Sequence, residues 1–110
     1  MMSAQSFEAE NFNDDNGMPA GGYVKGTGLD IQWQNGPLGR VGTDERIEPN
    51  GAFVETVIEG VVQRIKYYQE HFPCDENHLA IVHLQFALEA LNSRTARRVA
   101  QNVEGTHEGR

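Results

Sequence analysis

The sequence predicts an α+β fold, an N-terminal β-hairpin or small antiparallel sheet followed by a long antiparallel helical hairpin that oligomerises through its helices. Three observations predict it. Nine of the twelve glycines lie at or before Gly51, which confines the turn-forming residues to the first half of the chain. Within Leu29–Gln34, apolar Ile31 and Trp33 alternate with polar Asp30, Gln32 and Gln34, the period of a half-buried strand. After Gly51 the period changes: Phe53, Val57, Val61 and Ile65 recur every fourth residue, which is helical spacing.

The elements follow in order. Residues 1–20 hold Glu8, Glu10, Asp14 and Asp15 with no Lys or Arg, so −4 of the net −7 sits there. With only Phe7, Phe12 and Met18 as scattered large apolar residues, this stretch reads as a disordered acidic tail. Residues 21–48 form the small β region, with Tyr23-Val24, Leu29–Gln34 and Leu38–Val41 as strand candidates. Asn35-Gly36-Pro37 is turn chemistry and predicts a hairpin from about Leu29 to Thr43. One hairpin is marginal in water and must pack on something else. Residues 49–110 form the helical hairpin with a C-terminal tail. Pro49-Asn50-Gly51 opens it, with Asn50 as the expected N-cap. Helix one is expected from about Gly51 to Gln69, and Pro73 breaks it by disfavouring helix at Phe72. Asp75-Glu76-Asn77 opens helix two with acids that suit the macrodipole, and Arg94, Arg97 and Arg98 suit its other end. Leu84, Leu88 and Leu91 lie on one face of that helix, while Leu79, Val82 and Phe86 lie on another. Two helices apolar on more than one side cannot satisfy each other, so self-association is expected.

Length and charge narrow the function classes. A chain of 110 residues supports one domain with a tail and excludes most multi-domain enzymes. Neither a bilayer-spanning apolar run nor a signal peptide is legible. The single cysteine fits a reducing compartment. Sixteen acidic against nine basic residues argue against nucleic-acid polymers, whose binding rests on neutralising many phosphates. They leave room for a small anion held by a few arginines.

Three constellations could carry chemistry. Cys74, His71, His78 and His83 offer thiol and imidazole groups, but their spacing does not assemble the three or four ligands of a zinc site. No metal and no cofactor is therefore expected. Cys74 precedes acids that oppose thiolate formation, and no Ser-centred or paired-carboxylate motif appears, so no catalytic residue is assigned. Gly26-x-Gly28 lacks the remaining residues of a dinucleotide or phosphate loop. The third constellation joins Tyr67, Tyr68, Phe72 and Asn77 to the arginines. Arg94 and Arg98 share a helix face and can hold phosphate bidentately or stack on a purine. Tyrosines supply stacking surfaces, and an amide reads a base edge. The plainer alternative, last-turn arginines matching the helix dipole and aromatics packing a turn, is the commoner from residue types alone. Asn77 and Arg94 are about 25 Å apart along one helix at 1.5 Å rise per residue, so the two groups meet only if a second hairpin packs antiparallel on the first.

The order of segments adds to this. IQWQNGP, NGAFVETVIEGVVQRIKYYQ, FPCDENHLAI, ALEALNSRTARR and a terminal VEGTH together resemble the Thoeris anti-defence family of phages, over roughly residues 31–107. C-x-E-N, L-x-x-R-T and V-E-G-T-H in combination carry the resemblance. It implies a helical-hairpin domain shared with sponges that act against CBASS immunity. It also implies sequestration, without cleavage, of cyclic ADP-ribose isomers made by TIR-domain proteins, and in some members of cyclic di- or trinucleotides. The resemblance further implies a homo-oligomer, a hexamer built from dimers, acting in the cytoplasm of an infected bacterial host. Carried over residue by residue, the stacking aromatic looks like Tyr67 or its neighbour Tyr68. The amide contact looks like Asn77, and the two arginines look like Arg94 and Arg98. Thr106 and His107 match a second, trinucleotide pocket. Tyrosine stands where the family pattern has phenylalanine, and the turn before CDEN is one residue shorter. Two readings from other classes compete: a hydrolase of the same nucleotides, and a helical hairpin that only mediates assembly.

Overall fold

The computed structural model describes residues 5–39 and 42–100, the last two by backbone alone. The chain divides into two compact units at Phe53 and Val54, a β unit and a helical unit. The α+β class is as the sequence predicts.

In the β unit, β1 (Phe7–Asn13), β2 (Pro19–Gly26) and β3 (Leu29–Gln32) form an antiparallel sheet in the order β1-β2-β3. β1 corrects the expectation of a disordered tail over residues 1–20. All seven of its residues are exposed, so burial does not hold it, and the alternation begun by Phe7 and Ala9 is broken by Phe12, which falls on the opposite face. A paired backbone holds it instead, with Ala9 opposite Val24 and Glu10 opposite Tyr23. The reversal into β2 is an Asx turn: the Asp14 carboxylate accepts hydrogen bonds from the amides of Asn16 at 2.9 Å and Met18 at 3.0 Å. Composition reflects the apolar area a segment can bury, whereas a ladder built from main-chain groups leaves no mark on it.

Among the described residues, the expected hairpin from Leu29 to Thr43 is not seen. β3 pairs backwards onto β2, with Val24 opposite Ile31 and Gly26 opposite Leu29, so Thr27-Gly28 is the two-residue turn. Residues Asn35–Gly39 form no strand. Leu38 is instead one of the two buried apolar residues found among the described ones, and its carbonyl accepts a 2.7 Å hydrogen bond from the Ile47 amide. Val41, the last residue of that strand candidate, lies outside the described residues.

Pro49-Asn50-Gly51 is not the start of a helix. Ala52 bridges Trp33 in parallel fashion, with Gln34 N donating to the Ala52 carbonyl at 3.0 Å and Ala52 N donating to the Gln32 carbonyl at 2.7 Å. A Cβ on Gly51 would stand 2.5 Å from the Trp33 carbonyl oxygen, so only glycine lets the two backbones approach this closely. Asn50 is a clamp rather than an N-cap. Its side chain accepts from the Asn35 amide at 2.7 Å and donates to the Asn35 carbonyl at 3.2 Å, while its own amide donates to Gln34 Oε1 at 2.9 Å.

In the helical unit, α1 (Val54–His71) and α2 (Asp75–Ala100) pack against each other as a hairpin. Phe72–Cys74 make the turn. Gln69 reaches across it to accept from the Cys74 amide at 3.0 Å, and the Cys74 thiol accepts from the Asn77 amide at 3.4 Å, acting as the N-cap of α2. Val62 is buried on α1, and no apolar residue of α2 reaches full burial among those described. Phe72, Leu79 and Phe86 remain 75, 54 and 63% exposed. One hairpin leaves its apolar surface open, as two-sided apolar helices require.

Candidate ligand-binding site

The residues expected to hold a ligand fall into two groups at the two ends of the helical unit. Tyr67 and Tyr68 stand on the last turn of α1, and Asn77 on the first turn of α2. Both tyrosines are exposed, at 43 and 42%, with ring centroids 6.1 Å apart and planes inclined by 56°. Asn77 is half-buried. Its amide nitrogen Nδ2 donates to the Phe72 carbonyl at 3.4 Å, beyond the usual range for a strong bond, so the side chain lies against the turn with polar capacity in reserve.

Arg94 and Arg98 lie near the other end of α2. That helix has 26 residues against the 18 of α1, so its last two turns overhang the hairpin. The two arginines are not alike. Arg94 is exposed, whereas Arg98 is 8% exposed and already engaged in an interaction. At 1.5 Å per residue Asn77 and Arg94 are separated by about 25 Å along α2, so the unbroken helix keeps the two groups apart within one chain. Thr106 and His107 lie outside the described residues.

Two features escaped sequence reading. The Arg64 guanidinium lies over both tyrosine rings, 5.0 Å from the Tyr67 centroid and 4.8 Å from that of Tyr68. His71 lies 4.5 Å from Tyr67, ring to ring, and its Nδ1 is 3.0 Å from the Tyr67 carbonyl. Both were legible as spacing: Arg64 precedes the tyrosines by three and four residues, and His71 follows Tyr67 by four, the separations at which helical side chains meet. Beside this cluster an open groove of about 560 Å³ runs between α1 and α2. Val62 and Leu88 form its apolar part, and Gln63, Lys66, Glu70 and Gln85 supply polar groups.

The β unit has a concavity of its own, about 450 Å³, lined by Phe12, Tyr23 and Trp33 with the amides of Gln32, Asn35 and Asn50. Its cation, Lys25, stands in register with Glu8 on one side and Asp30 on the other, so its charge is offset across the ladder. Tyr23 donates a 3.0 Å hydrogen bond to Glu10, and this bond, reinforced by the charges of Glu10 and Glu8, raises the tyrosine above its ordinary value of 10.0. That is a poor setting for phosphate. Among the described residues no three His, Cys, Asp or Glu side chains gather as a metal set, and no helix is long and apolar enough to cross a membrane.

The likeness to known proteins takes in most of the helical unit and the later part of the β unit. Over 79 residues the chain is 42% identical to Thoeris anti-defense 1 of Bacillus phage SBSphiJ7, a stretch that covers 71% of this chain and 51% of that protein. The chain thus spans about half the length of the curated relative it matches. Residues 26–96 match the family described as Acb2/Tad1, hairpin domain, a span that takes in β3, α1, the turn and most of α2. With well over half its length inside that match, the chain belongs to the Acb2/Tad1 hairpin-domain family.

Proposed function

We propose that this protein is a phage anti-defence sponge that binds cyclic nucleotide immune signals and withholds them without cleaving them. The ligands are cyclic ADP-ribose isomers of the kind TIR-domain proteins make, with cyclic di- or trinucleotides as further candidates, and the site of action is the cytoplasm of the infected host. One observation supports this reading above the others. The groups suited to a nucleotide are divided between opposite ends of a helical hairpin whose apolar faces are left open. A second copy packed antiparallel brings the arginine end of one protomer, exposed Arg94 with nearly buried Arg98, to the tyrosines and Asn77 of the other, in two equivalent pockets. The ligand's phosphates then meet Arg94 and Arg98, its base stacks on Tyr67 or Tyr68, and Asn77 reads the base edge. A rigid cyclic ligand loses little freedom on capture, which favours tight binding. Thr106 and His107 are proposed for a second pocket on the family likeness alone.

The test is recovery. The protein is mixed with cyclic ADP-ribose isomers and cyclic oligonucleotides, then heat-denatured, and the supernatant is analysed. Ligand depleted before heating and returned intact afterwards supports the sponge. A cleaved product supports a hydrolase, and no depletion supports a hairpin that serves assembly only. Arg94→Ala is expected to weaken capture roughly 10- to 100-fold, the loss of one charge-assisted contact to phosphate, with the oligomer intact by light scattering. Asn77→Ala is expected to weaken capture likewise, with the oligomer intact. Normal capture by both variants places the pocket elsewhere. Arg98→Ala is a less clean test, because removing a nearly buried, engaged guanidinium costs stability as well.

A further inference from the structure

We infer that Arg64 is a positioning residue of the nucleotide site: its guanidinium, set in the notch between Tyr67 and Tyr68, holds the two inclined rings in a fixed relation, so that a ring is presented to a planar base in one orientation. The inference rests on the nucleotide reading above and adds a residue to it.

The geometry is specific. The guanidinium carbon lies 5.0 and 4.8 Å from ring centroids that are themselves 6.1 Å apart, so it bridges the pair nearly symmetrically rather than resting on one ring. Both distances are within cation–π range. Tyr67 and Tyr68 are 43 and 42% exposed, so packing against the rest of the hairpin leaves each ring room to turn. An exposed ring that is free to turn must be ordered when a base stacks on it, and that ordering weakens binding. A planar, weakly hydrated cation against both faces removes much of the freedom beforehand, which a flexible, strongly hydrated ammonium does less well. Along the helix axis Tyr67 is flanked by Arg64 three residues before it and His71 four residues after it, 4.5 Å ring to ring. Arg64, Tyr67 and His71 thus form an ordered row of side chains on the last two turns of α1, with Tyr68 held beside it by the same guanidinium.

The experiment is calorimetric titration with the tightest binder among cyclic ADP-ribose isomers, 3′,3′-cyclic dinucleotides and cyclic trinucleotides. Arg64→Ala is expected to weaken binding about five-fold, the size of an exposed cation–π contact, with the oligomer unchanged. Arg64→Lys, which keeps the charge without the plane, recovers only part of this. In a Tyr67→Ala/Tyr68→Ala background Arg64→Ala changes affinity by less than about two-fold, because a positioning residue has nothing left to position. Wild-type affinity in Arg64→Ala overturns the inference and leaves the nucleotide reading standing. An equal loss with and without the tyrosines also overturns it, by assigning the guanidinium to the ligand itself. Failure of every nucleotide to bind the wild-type protein removes the nucleotide reading, and this inference with it.

Discussion

Single residues carry more of the fold than their exposure suggests. Gly22 has φ +143°, and a Cβ there would stand 2.3 Å from the Glu10 carbonyl oxygen of the paired strand. Gly22→Ala is therefore expected to destabilise the β unit by about 2–3 kcal/mol, read as a lower urea midpoint, through backbone strain and a clash that cannot relax without opening the β1–β2 ladder. The bond from Tyr23 to Glu10 makes a second prediction. The carboxylate favours the protonated phenol, so the folded protein holds that proton to a higher pH than the unfolded chain does. This contribution to stability is complete below pH 10.0 and is lost as the pH rises through the folded value above it. In an NMR titration the Tyr23 ring shifts move late, and Glu10→Gln brings them back toward the ordinary range. An unchanged midpoint in Glu10→Gln excludes the bond as the cause.

The elements show which local signals were strong. Pro73 ended α1, the acids at Asp75 and Glu76 opened α2, and four-residue apolar spacing marked both helices, because each signal acts through the chain's immediate neighbours. The strands were less legible. β1 buries neither face and its alternation lasts only from Phe7 to Glu10, and the turn that mattered was Thr27-Gly28 rather than Asn35-Gly36-Pro37. Asn50 illustrates the difference. Its residue type and its place before an apolar stripe are those of an N-cap, yet its partners are Asn35 and Gln34, fifteen and sixteen residues earlier. Asn50→Ala removes two side-chain hydrogen bonds and is expected to cost about 1–2 kcal/mol, seen as a lower thermal midpoint and faster amide exchange at Asn35. An N-cap role would instead speed exchange at the start of α1.

At the scale of the whole molecule the helical unit is unfinished. Phe86 and Leu79, seven residues apart, share a face of α2 and remain largely exposed, an arrangement that marks an interaction surface more often than a solvated one. Light scattering is expected to give a mass above that of one chain, and Phe86→Glu to shift it toward the monomer with helical circular dichroism kept. If association makes the ligand pockets, Phe86→Glu loses capture together with mass. A monomeric wild-type protein that still captures ligand separates the two.

The sequence by itself determined the α+β class, the helical hairpin and its turn, and the residue types a nucleotide would need. Those follow from periodicity, proline and charge at helix ends, which are properties of neighbouring residues. Only the tertiary structure decided that the acidic start is a paired strand and that Asn50 and Gly51 anchor to Trp33–Asn35. It also distinguished Arg98, nearly buried and engaged, from Arg94, exposed. The physical reason is common to all three. A residue's type sets what it can bond, but burial and partnership depend on which distant segment of the chain arrives beside it, and residue types and spacing record that only weakly.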